Sequence, residues 1–223
     1  MGFLNKRKVA KTVSYYITEV LIVTFGIFIA IQLNNWNEDT KNIKNGVSAL
    51  KRIKTDLRTE KYVLNSLKQK QNYSRNYLIN ILYKNKHTNI DSIPFHFAPF
   101  VHYKMNSEYI NLKSSGQLSL IKNDKLRYSL VNFYEVYYGV YNELEEYHKN
   151  FIYNSYQNYL KNNFTSDTIS LLRAREVKDN LNDIKFRDIL NTQINSLQYL
   201  NENLFIENID QLLKKIDEEL NKK

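Results

Sequence analysis

Residues Tyr15–Leu33 read YYITEVLIVTFGIFIAIQL, and this run constrains the chain more than any other feature. Its apolar block, Val20–Ile31, is interrupted only by Thr24 and Gly26, with Glu19 and Gln32 at its edges. The hydrocarbon core of a bilayer is roughly 30 Å thick and takes about 20 helical residues. From Tyr15 to Trp36 a helix rises about 31 Å. Tyr15 and Tyr16 then sit at one interface and Trp36 at the other, where amphipathic rings are favoured. The run therefore predicts a transmembrane helix over residues 15–34 in preference to the buried helix of a soluble fold. No second apolar run of this length follows, so one span is expected.

Positive charge sets the expected orientation. Lys6, Arg7, Lys8 and Lys11 precede the span, whereas Glu38, Asp39, Lys41 and Lys44 follow it. The excess of cations before the span places residues 1–14 in the cytoplasm as a basic tail and residues 35–223 on the far side. Ala30-Ile31-Gln32 lacks the small residues two apart that a signal peptidase needs, so the span reads as an uncleaved signal anchor. The net charge of +9 divides accordingly. Residues 1–34 hold four cations and one anion, and the remaining surplus is spread as lysine along helical faces. That distribution reads as a solvated surface near anionic lipid, not as a nucleic-acid interface.

The rest of the chain is expected to be helical. Five glycines and two prolines in 223 residues are too few for the turns of an all-β fold. They also leave no glycine-rich loop for a nucleotide. Cysteine is absent, which excludes disulfides, thiol catalysis and cysteine–zinc sites. From Thr40 to Tyr83, Ile43, Leu50, Leu57, Leu64 and Leu78 share one sevenfold stride, with Gln71 in the gap. Ile53, Leu67 and Ile81 lie three residues after members of that series, as the packing seam of a long helix requires. Residues 86–105 hold both prolines, Pro94 and Pro99, among Phe95, Phe97, Phe100 and Tyr103. They read as a loop whose aromatics need burial. A short helix capped at Asn106 or Ser107 should stop at Gly116 in a left-handed turn. A long helix capped at Asn123 or Asp124 should run to about Asn163. Its stripe is Leu126, Leu130, Phe133, Tyr137, Tyr141, Leu144, His148 and Phe151. A short helix over about Asp167–Val177, a break at Lys178–Asp183 and a final helix over about Ile184–Leu220 complete the chain. The predicted class is all-α: an N-terminal transmembrane helix followed by an antiparallel bundle of long helices.

No reaction motif emerges. His87, His96 and His102 lie near Asp91 and Glu108, but spacings of nine and six match no metal motif. His96 and His102 fit an aromatic cluster better, and no nucleophile sits in a glycine-flanked elbow. Glu143, Glu145, Glu146 and Asp217, Glu218, Glu219 read as solvated helix faces. No cofactor and no catalytic residue are expected. Two other residue groups stand out. Gly26 and Ala30 form a small-xxx-small pair in the span, and Glu19 is an acid about one turn inside its edge. With Gln32, Asn34, Asn35 and Trp36 they suggest a membrane-interface docking motif. Tyr109, Gly116, Tyr134, Tyr137 and Tyr141 form a tyrosine-rich interaction or ligand patch, although aromatic stripes at helical spacing are more often core.

The stretch Glu19–Glu38, EVLIVTFGIFIAIQLNNWNE, is similar to the opening of a family of uncharacterised bacterial membrane proteins. That opening has an acidic residue, an apolar run ending G-I-x-I-A-x-Q-x-N-N-W-N-E, then a long charged helix. The matching residues are Glu19, Gly26, Ile27, Ile29, Ala30, Gln32, Asn34, Asn35, Trp36, Asn37 and Glu38. Thr24-Phe25 departs from the aliphatic pair expected there. The segment Tyr109–Gly116, with Leu120, Ile121 and Leu126, also resembles the middle of the family. The resemblance implies an inner-membrane anchor with a periplasmic helical domain, and it implies no activity. The first expectation is thus a membrane-anchored interaction or accessory protein without catalysis, partnered by the bilayer and by another membrane protein or its own copy. A ligand-sensing bundle that signals through a partner, with the tyrosine seam as pocket, is the alternative. An enzyme centred on the histidine-rich loop is the third.

Overall fold

The computed structural model describes residues 2–84, 90–165 and 171–222. Among them every regular element is helical, as the sequence predicts. The chain divides into two compact units, Met1–Ala49 and Leu50–Lys223. Helix α1 (Gly2–Lys84) contributes to both.

In the first unit the residues from Tyr16 to Asp39 are all exposed. Ile43 is exposed too, so the sevenfold seam begins at Leu50 and not at Ile43.

The second unit is a bundle organised on the remainder of α1. Leu50, Leu57, Leu64, Gln71 and Leu78 are all buried, so the expected seam holds over these four heptads. Helices α7 (Ile184–Glu202) and α8 (Ile206–Leu220) run back along it. Their cross-links descend α1 as they ascend the returning chain. Tyr83 bonds Asn191, Arg75 bonds Gln198, the Lys68 carbonyl accepts from Asn201, Lys61 pairs with Asp210, and Lys54 pairs with Asp217. Helices α3 (Asp124–Asn132), α4 (Tyr138–Phe151) and α5 (Gln157–Asn163) follow one another without a break and pack antiparallel to α7 and α8. Asn123 meets Glu219, Ser129 meets Lys215, His148 meets Gln193, and Tyr159 meets Asp183.

Two π-helical turns, Phe133–Tyr137 and Ile152–Tyr156, join these three helices. Each admits one residue beyond the α repeat. The buried stripe therefore steps from Leu130 through Phe133 and Tyr134 to Tyr138 and Tyr141, then through His148 and Ile152 to Tyr156 and Tyr159. Tyr137, assigned to the stripe by plain α spacing, is only half-buried, and Tyr138 takes its place.

Three further boundaries differ from expectation. The aromatic segment, read as a loop, folds in part as a 3₁₀ helix over Ile90–Phe97. It buries Ile93, His96 and Phe97, while Phe95 and Tyr103 stay exposed. His87 and the start of the helix expected at Asp167 lie outside the described residues. Helix α6 is seen over Leu171–Asn180, so the helix ends three residues later than Val177. The final helix is two helices. At Asn203–Phe205 the chain leaves α7, and the Phe205 ring enters the core beside His102, Phe133, Tyr138 and Tyr141. In the sequence Leu190, Leu197 and Leu204 step by seven and Gln211 ends the stride, and that slip coincides with the break between α7 and α8.

Short capping elements close the bundle. Asn123 caps α3 by accepting from Leu126 N at 3.1 Å, and Asp183 caps α7 by accepting from Phe186 N at 2.8 Å. Helix α2 (Ser107–Ser114) begins at Asn106, but the Asn106 side chain does not cap it. Asp56 of α1 does so instead, accepting from Glu108 N at 3.1 Å. Gly116 ends the segment with φ 71°, the left-handed conformation expected of it.

Candidate functional site

The first unit exposes the apolar side chains of Val20–Ile31. An 18-residue window of α1 has a mean hydropathy of 2.0 and none of it is buried, so α1 is long and apolar enough to cross a membrane. The Thr24 hydroxyl donates to the Val20 carbonyl at 2.8 Å and so presents no unpaired hydrogen to the outside. Glu19, Gly26, Ala30, Gln32, Asn34 and Asn35 are all exposed, and Trp36 is 71 % exposed. At helical spacing Gln32, Asn35 and Trp36 share one face, so two amides and the indole N–H are available together.

The second unit hides its chemistry. Three polar side chains stand in the α1 seam, and each has a buried polar partner. Glu60 is 0 % exposed, and its Oε1 accepts from His102 Nε2 at 2.5 Å. Its Oε2 accepts from Met105 N at 2.8 Å. The His102 backbone N–H is itself held by Glu145 Oε1. Glu145 is half-buried, contrary to its reading as a solvated residue, and burial raises its pKa. The His102 ring lies edge-on to Tyr138, Tyr141 and Phe205. Gln71 Nε2 donates to Tyr141 Oη at 3.1 Å. Ser74 Oγ lies 3.0 Å from His96 Nδ1, and the His96 ring stacks on Tyr77 at 3.9 Å. Burial lowers the His96 pKa to about 4.

These groups were hidden in the sequence by a pattern that can be read. The second sevenfold series is Ile53, Glu60, Leu67, Ser74, Ile81. Glu60 and Ser74 therefore hold core positions of the seam, and a carboxylate in such a position requires a partner from elsewhere. The histidines of the aromatic segment supply two of the partners.

The tyrosine patch is mostly packed core. Tyr109 stacks on Tyr134 at 4.3 Å, and its hydroxyl donates to Glu135 Oε1 at 2.8 Å, which Lys113 also reaches. Burial, then Glu135, pushes the Tyr109 pKa up, while Lys113 and Tyr109 hold Glu135 below the usual carboxylate range. Tyr134 and Tyr141 are buried, and burial raises both pKa values. Tyr137 borders a different, small hollow of about 100 Å³ beside Asn132 and Lys215. Gly116 is exposed and is not part of that hollow's lining. The five residues do not converge on one pocket.

Two larger grooves do exist. One of about 460 Å³ lies beside the 3₁₀ segment, with Tyr73, Ser74, Phe95 and His96 in its walls. The other, of about 410 Å³, lies between α4 and α7, with Tyr147, His148, Ser196 and Tyr199 in its walls. A buried polar chain joins them. His96 O accepts from Gln193 Nε2 at 2.7 Å, and Gln193 Oε1 lies 3.0 Å from His148 Nε2.

The sequence model of a family described as "Family of unknown function (DUF6090)" matches residues 19–193. No curated protein matches the chain. No solved structure matches it.

Proposed function

The chain belongs to the family of unknown function DUF6090, and on that premise we propose that it is a membrane-anchored interaction or accessory protein without catalysis. α1 crosses the bacterial inner membrane once, over residues 15–34. The basic tail of Lys6, Arg7, Lys8 and Lys11 stays in the cytoplasm, and the helical bundle works in the periplasm. One observation carries the reading: the window of α1 with mean hydropathy 2.0 has no covered side chain, whereas Leu50, Ile53, Leu57 and Leu64 further along the same helix are buried. An apolar surface of that extent on a soluble chain would associate or aggregate. A bilayer removes that cost and leaves the backbone satisfied within the helix.

The non-catalytic reading rests on where the titratable groups lie. Glu60 and His102 pair with each other inside the aromatic core, at 0 % and 1 % side-chain exposure, and a substrate has no path to them. The pair contributes to holding the 3₁₀ segment's continuation against α1. The amides of the stretch after the span, by contrast, are exposed. Gln32, Asn34, Asn35 and Trp36 offer amide and indole hydrogen bonds at the depth where lipid headgroups and neighbouring helices meet. Gly26 and Ala30 permit close approach of a second helix in the span, with Glu19 able to accept a bond from it. The partner is another membrane protein or a second copy, with no nucleic acid and no cofactor involved.

The experiment is purification of the full-length protein from its native membrane in mild detergent, with identification of what accompanies it in stoichiometric amount. The triple variant Gln32→Ala, Asn34→Ala, Asn35→Ala is expected to insert normally and lose the partner. Unchanged association in that variant removes the docking role from these residues.

A further inference from the structure

We propose that two copies of this chain pair in parallel along residues 22–47 of α1, in a coiled coil that starts in the span and continues beyond it. Two sevenfold series carry the inference. One is Ile22, Ile29, Trp36 and Ile43, and the other is Gly26, Leu33, Thr40 and Val47. They interleave at steps of four and three, which is the seam of a left-handed coiled coil, here about 38 Å long. The first series continues into Leu50, Leu57 and Leu64, which are buried in the chain's own bundle. Between 22 and 47 every member except Thr40 is exposed among the described residues, with Trp36 at 71 % and Ile43 at 56 %. The Thr40 hydroxyl donates to the Trp36 carbonyl at 2.8 Å, so it enters the seam without an unpaired hydrogen. Gly26 has open space where a side chain would stand, which allows a close approach of backbones.

The occupant is a second copy because the two flanks of the seam complement each other. In a parallel pair held in register, a residue on one flank meets the residue five positions later on the other helix. That offset sets Phe25 against Ala30, Gln32 against Asn37 and Asp39 against Lys44. The pairs are apolar, amide and ionic in the order span, interface and water, and two-fold symmetry makes each of them twice. Asp39 and Lys44 are both exposed on the single chain and so available to a copy. Lipid covers only part of the seam. Ile43 lies nine residues past residue 34, about 13 Å along the helix, where water meets its apolar side chain. The inference rests on the reading of α1 as a single span, since one direction of insertion makes all copies parallel. It goes beyond the docking role of the amides: Asn34 and Asn35 lie off the seam, and the dimer leaves them open to another membrane protein.

The test is disulfide cross-linking of the full-length chain in membranes at low expression, with copper–phenanthroline as oxidant. Ile43→Cys and Val47→Cys place single thiols on the seam, and Asn45→Cys places one on the opposite, exposed side of the helix. All three side chains are exposed, so the bundle is left intact. Cα atoms more than about 7 Å apart cannot be bridged, so the linked fraction at 43 and 47 should exceed that at 45 at least about fivefold. Lys44→Asp, which sets two carboxylates against each other, should lower linking at 47 several-fold. The swap of Asp39→Lys with Lys44→Asp should restore it. Alkaline carbonate washing of the same membranes tests the span itself. A chain that washes off overturns the span reading and this proposal together. A retained chain that links equally at 43, 45 and 47, or not at all at 43 and 47, overturns the dimer alone, as does a charge swap that fails to restore linking.

Discussion

His96 shows how one side chain ties the stability of the bundle to pH. It sits between Ser74 and the faces of Tyr77 and Tyr73, with its carbonyl held by Gln193. Burial lowers its pKa from 6.5 to about 4, so between those values the unfolded chain binds the extra proton and the folded one does not. Stability is then fully present above pH 6.5 and declines as the pH falls toward 4. From pH 6.5 to 5 the loss amounts to at most roughly 2 kcal/mol. His148, also lowered by burial, acts in the same sense. Glu145, raised by burial, acts in the opposite sense, so the informative quantity is a difference between proteins. Urea unfolding at pH 7 and pH 5 should show a smaller loss in His96→Gln than in the unaltered protein. Equal losses would remove His96 from the account. Tyr159 illustrates the same physics at the alkaline end, where burial and Asp183 push its pKa up to about 12.

The π turns carry the most specific expectation among the helices. Phe133–Tyr137 accommodates one residue more than an α-helix would, so removing one residue there converts the turn to α. After deletion of Val136, which is half-exposed, the side chains of Tyr138 and Tyr141 fall at plain α spacing from Phe133 and remain on the buried face. Deletion of Asn142 inside α4 rotates everything after it by about 100°. The first variant should keep a cooperative thermal transition by circular dichroism, and the second should lose it. A non-cooperative melt for the Val136 deletion contradicts the assignment. The same turns explain what was legible in the sequence and what was not. Sevenfold leucines locate α1 and α7, Gly116 marks the stop after α2 and Asn123 the cap of α3, because these depend on local chemistry. Plain α spacing put Tyr137 in the core, since nothing local announces a π turn whose gain is the packing of Tyr138. The break before Phe205 was visible only as a slip in the leucine stride. Its cause is tertiary, the place for a ring beside His102. The buried Glu60 and Ser74 were legible in principle, since they occupy seam positions, but their histidine partners come from a segment with no helical period.

For the whole molecule the central claim is topological. We propose that one apolar helix anchors the chain with residues 1–14 in the cytoplasm and the bundle on the far side of the membrane. The chain has no cysteine, so single introduced thiols report position without background. Tyr62 is 77 % exposed on α1, so its substitution leaves the core intact, and Asn5 lies in the basic tail. The deciding measurement is labelling of Tyr62→Cys and Asn5→Cys in intact bacterial spheroplasts by a membrane-impermeant maleimide. The account predicts that Tyr62→Cys is labelled in intact spheroplasts and that Asn5→Cys is labelled only after lysis. Labelling of Asn5→Cys alone, or equal labelling of both before lysis, would contradict it.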